Sequence, residues 1–234
     1  METFDKSSVV EAPAPWTLKG QCAYLFLHRT RTIFPEFNEN SDSTQTPYRG
    51  GGGGILLVKY ADSPVGPYDE LILFPGCYQF GDSTFYRISQ IYVSTMESVV
   101  NGRRNWAVPK KLARFEWSEN NTRVKISLPG KEQPFCTIQI RPRLYCFPAG
   151  STLIPTSFRT LVQPALPDNG EPFRYFKITP TCSGWFRPWV QLIDFSTDGE
   201  EIPSHKNLPI YSYGIGYEDF TLIFPEAEQI SLDK

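Results

Sequence analysis

Short apolar runs, each closed off by Pro, Gly, Asn or Asp, recur along this chain, and only one segment carries the signature of a helix. The runs 23–28, 55–60, 71–74, 85–93, 113–117, 124–128, 135–140, 173–178, 189–195 and 220–224 are rich in aromatic and β-branched residues. Such side chains pack well on a pleated surface and lose rotamer freedom in a helix, so the runs read as strands. Residues 124–128 alternate polar and apolar, as a half-exposed antiparallel strand does, whereas 71–74 are apolar on both faces and read as fully buried. The 21 prolines restrict the connections further, because proline is confined to strand ends, edges, bulges and loops. Residues 76–83 read as a turn, and 147–172 as a long connection with a short helix near 158–162. The helix signature is Ser94 as N-cap with Glu97 three residues on, and Pro109 sets the latest end of that helix. A chain of 234 residues suits a surface arm over 1–15 and a single domain over 16–234. The expected class is mainly β (α+β), with closed or strongly curved antiparallel sheets and a few peripheral helices.

The charge pattern narrows the partners. A net charge of -2, with both signs interspersed, argues against a nucleic-acid partner and against an anionic membrane surface. No apolar stretch reaches the length of about 18 residues that a membrane helix needs, and the first residues lack a signal-peptide pattern. Five dispersed cysteines without a C-x-x-C pair read as reduced thiols, which points to a cytoplasmic protein. With only His28 and His205, a His/Cys zinc site is not expected, and no nucleophile elbow, dinucleotide or pyridoxal phosphate motif is present, so no cofactor is implied. The glycine run 50–54 lacks the Lys-Ser or Lys-Thr of a phosphate loop and precedes a strand, so it reads as a flexible hairpin or linker.

Chemistry concentrates in 101–113, where Lys110 and Lys111 follow Pro109. A lysine is a nucleophile only when its amine is uncharged, which burial or a neighbouring cation promotes. It then attacks a ketone to form an imine, and the protonated imine accepts electrons from a breaking C–C or C–H bond. Trp106, Val108, Leu112 and Ala113 make the surroundings apolar, and Pro109 fixes the backbone before the pair. Adjacent side chains of an extended chain face opposite ways, so one lysine enters a pocket while the other lines its entrance or meets solvent. The competing reading is a solvated basic pair.

The same stretch resembles the signature of the acetoacetate decarboxylase family, roughly Gly-Arg-Glu, a short spacer, then Pro-Lys-Lys-Leu. Gly66-Pro67-Tyr68-Asp69-Glu70 is similar to the family's Gly-x-Tyr-x-Glu segment, the run from Trp185 to Leu192 to a later one, and Phe224-Pro225-Glu226-Ala227-Glu228 to its C-terminal Leu-Pro-x-Ala-Glu. The resemblance implies a cone-shaped antiparallel β-barrel, a homo-oligomer, and a cofactor-independent lyase acting on a small-molecule β-keto acid or polyketide-like ketone. It matches Lys110 to the Schiff-base lysine and Lys111 to its neighbour, which helps hold the amine neutral or lines the site. Glu70 then positions substrate or moves a proton. The candidate substrate contacts are Arg103, Tyr68, Trp106 and Trp185, with Arg103 alternatively an ion-pair partner, and Trp185, Phe186 and Trp189 alternatively core.

Departures from the family pattern are specific. Arg104 stands where the signature has Glu, and Ala107 where many members have Gly. A second active-site glutamate falls at Ile55, and the N-terminal arginine has no clear counterpart among Lys19, Arg29 and Arg31. Three alternatives therefore stand beside decarboxylation: an aldolase, dehydratase or cyclase of secondary metabolism using the same imine; a barrel binding a small apolar molecule without lysine chemistry; and a regulatory or structural member.

Overall fold

The computed structural model of the protein describes residues 9–27, 46–143, 145–167, 174–203 and 210–231. His28, Arg29, Arg31, His205, Phe173, the first eight residues of the arm and the polar loop before residue 46 lie outside the described residues.

Strands in chain order are β1 (Trp16–Leu27), β2 (Tyr48–Gly50), β3 (Gly53–Asp62), β4 (Tyr68–Phe74), β5 (Cys77–Phe80), β6 (Ser83–Tyr86) and β7 (Gln90–Val93). Helix α1 (Met96–Trp106) follows, then β8 (Lys110–Leu112), β9 (Arg114–Trp117), β10 (Arg123–Ser127) and β11 (Cys136–Arg143). The chain continues with β12 (Phe147–Gly150), β13 (Leu161–Pro164), β14 (Arg174–Ile178), β15 (Thr181–Thr197), β16 (Ile210–Phe224) and β17 (Glu228–Ser231).

Eleven of these form one sheet in the order β8-β7-β4-β3-β1-β16-β15-β11-β10-β9, with β12 beside β15. Only Ala113 separates β8 from β9, and its N–H donates to Val93 O at 2.8 Å. One continuous stretch thus pairs with β7 on one side and β10 on the other, curling the sheet into a nearly closed barrel. The remaining six strands make a second sheet, β17-β14-β13-β6-β5-β2. The expected mainly β class is the one observed.

Both faces of the central strands are buried. Ile55 and Leu57 of β3 and Leu71 and Leu73 of β4 join a core with Leu25, Val124, Ile126 and Ile138. The alternate residues Val58, Tyr60, Tyr68 and Ile72 face a second core containing Trp16, Ile91 and Trp106. The strand period of two thus sorts each strand's side chains into two separate layers. This is why 71–74 is apolar throughout.

Several local expectations are corrected. The N-cap is Thr95, whose hydroxyl accepts from Ser98 N–H, because Ser94 Oγ already accepts from Asp69 N–H at 2.8 Å. The run 85–93 is two strands in different sheets, and 76–83 contains β5. Within 147–172 lie β12, β13 and two 3-10 turns, Ser151–Leu153 and Thr156–Phe158, so no α-helix forms at 158–162. β15 is far longer than the run 189–195; it accommodates Pro188 where its register with β16 shifts between Arg187 and Val190. Residues 9–15 lie along α1: Ala12 N–H donates to Asn101 Oδ1 at 2.8 Å, and Ala12 O accepts from Asn105 Nδ2 and Trp16 Nε1.

Candidate active site

Lys110 is the first residue of β8, and its side chain turns into the second buried layer. It is 6% exposed; its Nζ donates to Glu70 Oε2 and to Ser98 Oγ, each at 2.9 Å. Glu70 comes from the middle of β4 and is equally buried, so this is a buried ion pair. Its other oxygen, Oε1, accepts from the Tyr60 hydroxyl at 3.2 Å. Pairing of Tyr60 with Tyr68 and of Val58 with Glu70 across β3 and β4 puts both tyrosines beside the carboxylate. Nζ lies 5.0 Å from the Tyr68 ring centroid and 6.0 Å from that of Trp16. Burial first, and then the Glu70 charge, push the Tyr60 and Tyr68 hydroxyls well above the usual phenol range. Both therefore remain protonated donors around one carboxylate.

Helix α1 presses on the lysine from the side. Ser98 and Gly102 are four residues apart and share a helix face. Ser98 supplies an acceptor, and Gly102 leaves room for the lysine methylenes. Trp106 ends the helix, fully buried; its Nε1 donates to Pro225 O at 2.7 Å, and its ring meets Trp16 and Phe224 edge-on.

Trp16, Tyr60, Tyr68, Glu70, Trp106 and Lys110 line a cavity of about 1350 Å³. Among the described residues lining it, only Glu70, Lys110 and Arg159 are charged; the rest are mostly aromatic and aliphatic. Of the expected site residues, Lys110, Glu70, Tyr68 and Trp106 meet here. Lys111 does not. It faces the opposite side of β8, where its Nζ pairs with Glu201 Oε2 at 3.0 Å above the Tyr92 ring. Strand alternation excludes it from the amine's pocket, correcting the expectation that it lines the site. Arg103 on α1 is not a lining residue, and neither is Trp185, which is 49% exposed on β15. Trp189 is also surface-facing, stacked on Tyr213 at 4.9 Å. None of Trp185, Phe186 and Trp189 lines the cavity, and the exposure of the two tryptophans also overturns the core alternative.

Ser98, Tyr60 and Trp16 belong to the site and were not anticipated. The spacing of four between Ser98 and Gly102 was a usable signal for one of them. Ile55 is buried in the first core, so no carboxylate takes the second glutamate's place there. Lys19 is exposed on β1.

Residues 49–203 match the family model described as acetoacetate decarboxylase (ADC). The chain belongs to that family. Its fold is similar to an acetoacetate decarboxylase from Legionella pneumophila, with a TM-score of 0.66 and 11% identity over 94% of this chain and 88% of that one. It is also similar to an acetoacetate decarboxylase-like enzyme from Sphingomonas wittichii RW1, with a TM-score of 0.63 and 12% identity over 99% and 98% of the two chains. The enduracididine biosynthesis enzyme MppR, solved in complex with pyruvate, gives a TM-score of 0.60 at 11% identity over 97% and 93%. Curated relatives include Protein NEOXANTHIN-DEFICIENT 1 of Arabidopsis thaliana, 27% identical over 48% of this chain, and that of rice (Oryza sativa subsp. japonica), 30% identical over 29%. The matched stretches span 39% and 22% of those relatives' own lengths.

Proposed function

We propose that this chain is a cofactor-independent, imine-forming lyase acting on a ketone. The observation that carries the reading is a buried lysine amine, facing a large apolar cavity, within hydrogen-bond reach of one carboxylate. Glu70 takes a proton from the Lys110 ammonium, and the free amine adds to the substrate carbonyl carbon. Glu70 then returns that proton to the hydroxyl of the adduct, which leaves as water and forms the protonated imine. With a β-keto acid, the bond to the carboxylate breaks, CO2 departs, and the electron pair moves into the imine to give an enamine. Protonation at carbon and attack of water release the ketone and restore Lys110.

A second fate of the same imine has an observation of its own. Glu70, the one carboxylate among the described lining residues, already sits 2.9 Å from Nζ, so an anionic substrate would crowd a second negative charge against it. A neutral ketone would not. In that reading Glu70 removes an α-proton from the imine, and the enamine serves aldol, dehydration or cyclisation chemistry.

The test is reductive trapping. Keto acids and neutral ketones are added, the mixture is treated with borohydride, and the adduct is mapped by mass spectrometry. Attachment at Lys110 is expected, and CO2 release from the keto acids separates the two fates. No adduct at Lys110 across the panel sinks the imine.

A further inference from the structure

We propose that the substrate is a long, predominantly hydrocarbon ketone that reaches Lys110 across the rim made by the glycine run. The proposal rests on the imine reading for the position of the carbonyl. It draws the rest from the cavity's shape and chemistry.

The cavity, about 1350 Å³, exceeds the roughly 300–1,000 Å³ of ordinary small-molecule pockets. A small keto acid would leave most of it unfilled. Along β4 its polarity is one-sided. Along β4 the lining residues are Tyr68, Glu70, Ile72 and Phe74, every second residue on one face. Tyr68 and Glu70 belong to the Lys110 cluster, whereas Ile72 and Phe74 carry no polar group. On β3, Leu56 pairs with Ile72, and Gly54 with Phe74, continuing the apolar track. From Glu70 to Phe74 this track extends about 13 Å along the strand.

Beyond Phe74 the track meets the glycine run. Gly51, Gly52 and Gly53 line the cavity, and Gly51 and Gly52 are also solvent-exposed, so the cavity opens there. Among the described residues, a side chain placed on Gly52 would meet nothing within 4 Å. Gly54, the next step inward, admits the Tyr24 ring, which a Cβ would overlap. Ile154 and Phe158 also line the cavity and are exposed, so part of its margin is apolar. The glycines therefore form a low wall between the apolar track and solvent, over which a hydrocarbon chain can pass. A ligand matching these features has its carbonyl at Lys110 and an unbranched or weakly branched apolar chain running past Ile72 and Phe74 to Gly52.

The test is a chain-length series read by quenching of Trp16 and Trp106, both of which line the cavity. Methyl ketones from butanone to hexadecanone are titrated into the wild-type protein, alongside the corresponding secondary alcohols, which cannot form imines. Affinity is expected to rise by about two- to fourfold per methylene in both series. Gly52→Trp is expected to flatten both series at their long end, by about tenfold for the longest member. A flat alcohol series in the wild type, or a long-end affinity unchanged by Gly52→Trp, overturns the proposal. Chain-length dependence in the alcohols with no borohydride adduct from any ketone keeps the ligand class while defeating the imine reading. Adduct formation with butanone and hexadecanone at equal affinity does the reverse.

Discussion

A methyl group on Gly102 would overlap the Lys110 side chain: an ideal Cβ there falls 2.7 Å from Cδ and 3.3 Å from Nζ of Lys110. Glycine in a helix interior costs about 1 kcal/mol relative to alanine. Here that cost makes space for a buried amine. Gly102→Ala is expected to leave a folded protein while pushing Nζ away from Glu70 and Ser98. A displacement near 1 Å lowers turnover by about a hundredfold. Borohydride trapping at Lys110, compared with the circular dichroism spectrum of the same sample, checks this: full trapping in a folded variant contradicts it.

Glu70 and Ser98 share one amine but are assigned different tasks. Removing the Glu70 charge leaves the buried ammonium without its counter-ion, a loss of about 3–5 kcal/mol for such pairs. In the proposed reaction it also removes the group that accepts and returns the proton, which contributes about 10²–10⁴-fold to rate. Glu70→Gln is therefore expected to be both less stable and nearly inactive. Ser98→Ala removes one hydrogen bond from a charged donor, about 1.5–3 kcal/mol, and is expected to keep measurable activity. Melting temperatures and trapping rates of both variants check the ranking; equal activities would refute it.

The strands and the lysine were legible in the sequence for different reasons. Val124-Lys125-Ile126 alternates because one face of β10 meets the core. Lys110 was marked by Pro109, its apolar neighbours and the family signature; strand parity separates the two lysines, and the structure shows which of them faces inward. What escaped depended on contacts between distant segments. Ser98 and Tyr60 are ordinary residues until β3, β4, β8 and α1 converge on one carboxylate. Trp185 was misplaced because β15 is a long strand with a register shift near Pro188, so its facing could not be counted from its C-terminal half. The glycine run reads as a hairpin or linker, and Gly51 and Gly52 do connect β2 to β3; the two strands belong to different sheets, so no hairpin forms, and that pairing choice depends on β5 and β1 rather than on any local pattern.

Ala107 closes α1 in the left-handed region, with φ 53°. An L side chain there costs about 1–2 kcal/mol, which glycine avoids. The methyl group is fully buried, so its removal forfeits part of the gain, as does the extra freedom of glycine in the unfolded chain. The strain term is the larger of these. Ala107→Gly is expected to stabilise the protein by at most about 1 kcal/mol, without altering trapping at Lys110. A lower melting temperature would show that the buried methyl outweighs the strain.

Lys111 acts on the other side of β8. Its ammonium and the Tyr92 hydroxyl both bond Glu201 Oε2, at 3.0 and 2.7 Å, tying β7 and β8 to the segment after β15. The Tyr92 hydrogen bond first, and then Lys111, hold the Glu201 carboxyl below its ordinary value of 4.5. A carboxyl whose pKa is depressed by folding stabilises the native state above its unfolded pKa. That contribution fades as pH falls through the folded value. The clasp is thus intact at neutral pH; its contribution starts to shrink as pH falls below 4.5 and is gone only below the lower folded value. Lys111→Ala is expected to cost no more than about 1 kcal/mol, as exposed pairs do, and to leave trapping at Lys110 intact. Tyr92→Phe is expected to flatten the melting temperature against pH in the acid range more than Lys111→Ala does. If Lys111→Ala instead abolishes trapping, the second lysine acts in the chemistry and its placement on the outer face of β8 is wrong.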